Sequence, residues 1–265
     1  MNLNINKNLK ITIITVCFNS EKTIKSTLNS VLNQNFDKIE HIIIDGQSTD
    51  RTVSIIKEYT HVKKIISEPD NGIYDAMNKG IKIATGDIIG FLNSDDFFAN
   101  DNVLSGVASA FINNPNLQGC YADLIYIDKN DTTKNIRFWK SNEFVPGLFS
   151  KGWSPPHTTF FVKRSIYEKF GNFNLKYHIA SDVELMMRFL EIHKIHVHYI
   201  PEVWIKMRIG GTTNKSFKNI LKQNIEILSA LKSHNLVTNI FVFFIYKIIS
   251  RSLQFFKKKN LWKKF

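Results

Sequence analysis

Between Lys10 and Ile66 three β-branched runs alternate with two helix-length amphipathic stretches, and this alternation limits the fold more than any other feature of the chain. Lys10 to Phe18 reads as a first strand. Asn19 and Ser20 offer N-caps to a helix ending near Leu32, with Ile24, Leu28, Val31 and Leu32 inward. Ile39 to Ile44 is a second strand, ending at Asp45-Gly46, where Gly46 permits a sharp turn. Ser48 and Thr49 cap a helix reaching Tyr59, with Val53 and Ile56 inward, and Val62 to Ile66 is a third strand. Strand, helix, strand, helix, strand is the pattern of a parallel, doubly wound α/β sheet.

The sheet continues past a dense turn cluster, Ser67-Glu68-Pro69-Asp70-Asn71-Gly72. Ile73, Met77, Ile81 and Ala84 then recur at helical spacing, and Gly86 ends that helix. Ile88 to Leu92 is short and uniformly apolar, as in a strand buried on both faces. It stops abruptly at Asn93-Ser94-Asp95-Asp96. A helix follows over Asn102 to Ile112. Leu117 to Ile127 and Ile136 to Trp139 read as antiparallel partners around Lys129-Asn130-Asp131, so the second half of the sheet is mixed. Phe144 to Pro156 is a loop with Trp153 at its tip. His157 to Val162 returns to strand character, and Ser165 to Phe170 is a short helix. Ser181 and Glu184 have capping-box spacing at the head of another helix. His196 to Ile200 and Val203 to Met207 are late strands. Arg208 to Thr213 is a polar loop, and Ser216 to Leu231 the last helix of the domain.

In a parallel sheet the C-terminal strand ends converge on one edge, where ligands bind. Asp45 and the pair Asp95 and Asp96 therefore fall near one another. Adjacent carboxylates repel, so the pair is either a solvated turn or shares a cation; a hard divalent ion carrying phosphate oxygens would suit it. No Gly-x-Gly-x-x-Gly follows the first strand and no Gly-Lys-Ser/Thr loop exists, so a pyrophosphate here would need its charge met by a metal. Asp182, at a helix start, either complements the helix dipole or serves as a general base near neutral pH. His157 faces an acceptor or is a structural histidine, and Trp153 stacks on a sugar or packs its loop down. His193, His196 and His198 are too irregularly spaced for a metal site.

The net charge of +12 is unevenly placed: from Lys232 to the end there are eight Lys and Arg and no acid. That segment is also rich in Phe and Ile. Its apolar run Ile240 to Tyr246 is too short to span a bilayer, and Lys247 and Arg251 interrupt the rest. It reads as an in-plane helix on an anionic membrane surface, with a core or oligomer-interface helix as the alternative. Nucleic-acid binding is the less favoured use of that charge, because the segment is so apolar. Met1 to Lys10 is polar and Asn-rich, without the apolar core of a signal peptide. Cys17 and Cys120 lie in apolar runs and read as buried thiols, which fits a reducing compartment.

Several ordered motifs carry a resemblance over roughly Lys10 to Thr213: Ile-Ile-Thr-Val-Cys-Phe-Asn-Ser, Ile-Ile-Ile-Asp-Gly-Gln-Ser-Thr-Asp, Glu-Pro-Asp-Asn-Gly-Ile-Tyr-Asp-Ala-Met-Asn-Lys-Gly, Gly-Asp-Ile-Ile-Gly-Phe-Leu-Asn-Ser-Asp-Asp and Ala-Ser-Asp-Val-Glu-Leu-Met-Met-Arg-Phe. The chain resembles the inverting glycosyltransferases of family 2, with the GT-A fold, of the kind that build bacterial surface polysaccharides. The resemblance implies that Val16 and Phe18 line a base pocket, that Asp45 meets the base edge, and that Asp70 and Lys79 stand beside the nucleotide. It places Asn93 and Ser94 in the nucleotide-sugar stretch, Asp95 at the ribose or the ion, Asp96 on Mn2+ or Mg2+, and Asp182 as catalytic base. Two positions depart from the family pattern: the metal triplet is Ser94-Asp95-Asp96, and Ser181 stands where an acid often precedes the base.

The expected protein is therefore a GT-A domain over residues 1–233 with a basic, Phe-rich, membrane-associating tail over 234–265. It would move a sugar from a nucleotide-sugar, UDP-linked, to a saccharide acceptor on a polyprenyl diphosphate, at the cytoplasmic face of the inner membrane and without nucleic acid. The competing reading is a non-catalytic nucleotide-sugar or membrane-binding protein of the same fold.

Overall fold

The structure is a computed structural model that describes residues 9–210 and 217–256. The expectations for Met1 to Asn8, for Thr212, Thr213 and Ser216, and for Lys257, Lys258, Lys259, Lys263 and Lys264 lie outside the described residues.

The first half follows the alternation in the sequence. Strands β1 (Ile11–Cys17), β2 (Ile39–Asp45), β3 (Val62–Ser67) and β4 (Ile88–Phe91) are joined through helices α1 (Ile24–Leu32), α2 (Thr52–Lys57) and α3 (Ile73–Ile83). β1 lies between β2 and β4, with Ile11 opposite both Ile39 and Ile88, and all three pairings in this half are parallel. β1 is buried throughout, as expected for a strand with helices on both faces.

The second half is mixed. It contains β5 (Phe97–Phe98), α4 (Val103–Asn113), β6 (Gly119–Ile127), β7 (Asn135–Trp139), β8 (Phe161–Lys163) and α5 (Arg164–Phe170). It closes with α6 (Ser181–Met187), β9 (Val197–Arg208) and α7 (Phe217–Ser233). The strand order is β3-β2-β1-β4-β8-β6-β9-β5, with β7 paired to β6. Helices cover both faces, producing two large apolar cores around β1, β4 and β6. Cys17 and Cys120 are free and buried.

Several local expectations change. The two late strands are one, β9, whose register on β6 jumps from Ala122↔Ile200 to Asp123↔Val203. Pro201 and Glu202 are passed over, as befits a proline that cannot donate to the ladder. His157–Thr159 is a 3-10 turn, leaving only three residues to β8. A π-helical turn, Arg188–Ile192, continues α6. α1 and α2 start later than the Ser and Thr signals suggested, and none of those side chains caps a helix. Ser48 donates to Asp45, Ser20 meets Ser94, and Ser181 donates to the Asn174 carbonyl. Glu184 accepts from Arg188 and pairs with His234 rather than closing a capping box.

The last helix, α8 (Ile240–Phe256), lies against β7 and the 3-10 turn Phe149–Lys151. Phe243 is fully buried in the larger core. Phe241, 80% exposed, together with Ile245, Ile248 and Ile249, points outward. Lys247 and Arg251 turn inward to line a cleft, and the apolar side faces out.

Candidate active site

Parallel pairing of β1 with β4 brings their C-terminal ends side by side. Val16, Phe18, Asn93, Ser94 and Asp95 all line one cleft of about 1270 Å³, which Asp70, Trp153, His157 and Asp182 also border. Ten of the twelve residues predicted for donor, ion, base and acceptor roles, all but Lys79 and Asp45, are thus in or immediately behind a single cavity, with Asp96 the one set back. Phe18 is 62% exposed, so its ring face is available for stacking on a planar base.

Asp45 is not presented to the cleft. It is 0% exposed and its carboxylate is filled from within. Ser48 donates through its backbone N–H and its hydroxyl, and Ser67 donates at 2.6 Å. Asp45 therefore ties the end of β2 to the loop that follows. Asp70, half-buried, is the acid presented there. It lines the cleft and accepts from the Gly72 N–H. A side chain at Gly46 would sit 2.6 Å from Asp70 Oδ2, so this glycine is there for a close approach more than for a turn.

Lys79 faces away from the cleft. Its ammonium donates to the Pro69 carbonyl at 2.6 Å and pairs with Glu68 at 2.9 Å. It pins the turn that carries Asp70. The hydrogen bond its ammonium donates to Glu68 holds Lys79 above the ordinary lysine range.

The acid pair is divided by depth. Asp95 lines the cleft, whereas Asp96 is 1% exposed and packed behind it. Burial, and then the neighbouring Asp95 charge, push the Asp96 carboxyl well above the usual carboxylate range. Asn93 donates to Asp96 Oδ2 at 3.2 Å, and Asp96 Oδ1 is buried without a partner. An orphaned carboxylate oxygen next to a second acid fits a divalent cation, which would reverse this electrostatic balance. Among the described residues no group of three acid, His or Cys side chains could hold an ion, so other ligands would be diphosphate oxygens and water.

Arg208 was not foreseen. From the end of β9 its guanidinium donates to the Asp95 carbonyl and, at 3.1 Å, to Ser26 Oγ, and it lies over the Phe97 ring. Burial lowers its pKa, while Asp95 and Asp96 oppose that shift. The sequence carries no spacing that would link position 208 to position 95.

On the opposite wall Asp182 heads α6. Its Oδ1 accepts from its neighbour, the Val183 N–H, at 2.9 Å and from Tyr74 Oη at 2.9 Å, with the Ile179 carbonyl the phenol's alternative acceptor. Tyr74 is held far above the ordinary phenol range by burial and then by Asp182, so it stays a donor. Neither the Asp182 side chain nor any other caps α6. His157 stacks on Phe91, its Nε2 has no partner, and burial lowers its pKa while Asp182 opposes. It is neutral near pH 7. Trp153 is packed against Tyr121, Phe144 and Phe149 and donates to Asn142. Its edge still borders the cleft. The loop around it is fixed by these rings, not free at a tip.

Known proteins place this arrangement. Residues 12–180 match the family described as glycosyl transferase family 2. An uncharacterized glycosyltransferase of Mycobacterium tuberculosis is 32% identical over 184 residues, which cover 67% of this chain and 68% of the relative. A UDP-Glc:alpha-D-GlcNAc-diphosphoundecaprenol beta-1,3-glucosyltransferase of Escherichia coli is 26% identical over 255 residues, covering 94% and 98%. Among solved structures, S. aureus TarS 1–349 in complex with UDP has TM-score 0.64 and 18% identity over 97% of this chain and 75% of that one. The Pyrobaculum calidifontis mannosyltransferase PcManGT, in complex with GDP-Man and Mn2+, has TM-score 0.61 and 14% identity, covering 98% and 89%. The chain has the mixed α/β architecture of GT-A-like glycosyltransferases. It belongs to glycosyl transferase family 2.

Proposed function

We propose that this protein is an inverting transferase that moves a sugar from a nucleotide-diphospho-sugar to a hydroxyl of a saccharide carried on a polyprenyl diphosphate. The observation that carries this reading is the placement of Asp182 and Asp95 on the wall of one cleft. The base would stack on Phe18 beside Val16 and Asp70, and the diphosphate would lie toward Asn93, Ser94 and Asp95. A UDP-linked hexose or N-acetylhexosamine is the favoured donor, supported by the printed activity of the E. coli relative and by the UDP complex of the structural neighbour.

Asp95 and Asp96 would hold the divalent ion, Mn2+ or Mg2+, with Asp95 on the cleft side; bound there, it would supply positive charge to the departing diphosphate. Asp182 removes the proton of the acceptor hydroxyl. The freed oxygen forms its bond to the anomeric carbon as the bond from that carbon to the diphosphate oxygen breaks on the opposite face. An α-linked donor gives a β-linked product. Tyr74 orients the carboxylate, and His157, neutral and with an unpartnered Nε2, faces the acceptor side.

The acceptor and the tail point to surface-polysaccharide assembly at the cytoplasmic face of the inner membrane. Residues 1–233 would be the transferase and 234–265 the membrane-associating part. The outward apolar face of α8, followed in sequence by Lys257, Lys258, Lys259, Lys263 and Lys264, supports docking on an anionic bilayer. Among the described residues no helix is long and apolar enough to cross a membrane.

The test is transfer from UDP-sugars to a GlcNAc-diphospho-lipid acceptor. Asp182→Asn should fold normally and lose about 10²–10⁴ in rate, the range for a general base. Full activity in that variant refutes the assignment.

A further inference from the structure

The same cleft carries three cations that the proposed chemistry leaves unused. Arg137 on β7 and Lys247 and Arg251 on α8 all line the cleft. None has a carboxylate within ion-pair distance among the described residues. Their contacts are neutral. Arg137 lies flat over Tyr126 at 3.8 Å, and Lys247 donates to Asn224 Oδ1 at 2.6 Å and sits over Phe243. Arg251 interacts unfavourably with both of the others. A side chain at Gly152 would lie 2.8 Å from Lys247 Cγ, so the lysine stem is packed and the position of its ammonium is set by the fold.

Half-buried cations that repel one another, with no paired acid and only the more distant Asp182 charge to offset them, are costly to hold together without an anion. The anion they suit has more than one charge and several acceptor oxygens, as a diphosphate has. Two diphosphates belong to the proposed reaction. The donor's lies toward Asp95, whereas Lys247 is within electrostatic reach of Asp182, the proposed base on the acceptor side. The outward side of the same helix α8 is apolar, so the cationic side sits directly inside a lipid-facing element. From this geometry we infer that Arg137, Lys247 and Arg251 form a subsite for the diphosphate of a lipid-linked acceptor, resting on the transferase reading above. The subsite holds the acceptor by its charged link, with the lipid leaving over α8 and the sugar reaching toward Asp182.

Farnesyl diphosphate, farnesyl monophosphate and farnesol serve as probes for isothermal titration with the full chain, with and without saturating UDP and Mn2+. The diphosphate should bind most tightly, lose affinity with added salt, and be indifferent to UDP. Arg251→Gln and Lys247→Met should each weaken farnesyl diphosphate about tenfold or more, with UDP affinity unchanged. Because removing one cation relieves repulsion, the Tm of Arg251→Gln should hold or rise. That outcome separates a lost ligand contact from a damaged fold. Competition by UDP assigns the cations to the donor and overturns the inference. So does unchanged farnesyl diphosphate binding in both variants, or a loss confined to phosphatidylglycerol vesicles, which assigns the cations to a lipid headgroup. If farnesyl diphosphate behaves as expected while no sugar is transferred to any acceptor, the transferase reading fails and the diphosphate site stands.

Discussion

Phe243 decides whether the last helix is an appendage or part of the catalytic body. Its ring is 0% exposed and packs in the core shared by Phe149, Trp153 and Ile227, in contact with Phe244 and beneath Lys247. Removing a buried phenylalanine costs about 3–5 kcal/mol. The lower value applies here because Lys247, which lies over the ring, borders an open cleft and can relax into the space. If α8 can undock while the sheet remains folded, Phe243→Ala acts on that opening alone, and about 3 kcal/mol raises the opened fraction roughly 10²-fold. Native-state hydrogen exchange reads this directly. Protection over Ile240–Phe256 should fall by about two orders of magnitude, while Ile11–Cys17 and Ile88–Phe91 should keep theirs. Equal loss in α8 and in β1 would refute the reasoning by showing one cooperative unit. Unprotected α8 amides in the unsubstituted protein would refute it more simply.

Three further outcomes follow from other contacts. Tyr74→Phe removes the phenol's hydrogen bond to Asp182 Oδ1 and should lower kcat about tenfold, the worth of a bond to a charged acceptor, with KM for the donor unchanged; an unaltered kcat would sink the orienting role. Gly90→Ala places a methyl 2.2 Å from the Phe161 ring and should destabilise the protein by about 1–3 kcal/mol through overpacking, seen as a lower denaturant midpoint. His41 is fully buried, bonded to Thr15 and His61, and held at about 3 by burial and then by His61. Its folded pKa lies below the unfolded one, so its contribution is complete above about pH 6.5 and is lost as pH falls toward 3. Between pH 7 and pH 5 the loss should be about 2 kcal/mol, and His41→Gln should flatten that slope in urea titrations.

The parallel half of the sheet was legible because each strand there is a buried β-branched run and each helix shows one apolar face. β9 was misread as two strands because Pro201 interrupts the pattern while the chain keeps its direction, and a bulge absorbs the interruption. Cap residues misled for a related reason. Ser20, Ser48 and Ser181 are local signals, but Ser20 found a distant partner in Ser94, while Ser48 and Ser181 turned back to Asp45 and the Asn174 carbonyl instead of capping. In the site, position along the strands identified the edge but not the depth. Asp45 and Asp95 both end parallel strands, yet one is consumed by Ser48 and Ser67 and the other opens on the cleft. The inward turn of Lys247 and Arg251 was not legible because a helical pattern gives two faces and does not say which meets the protein. Arg208 was invisible because its partner is remote in sequence.

That remoteness has a consequence for how the site comes into being. Arg208 braces the Asp95 carbonyl across 113 residues, from a strand that joins the sheet only after nearly all of it has been synthesised. The β1–β4 layer, complete by Phe91, has what it needs to assemble first on a growing chain. β9 must wait, since pairing so distant in sequence closes late. The walls of the donor pocket are thus among the earliest parts to form, and the acid pair acquires its brace among the last.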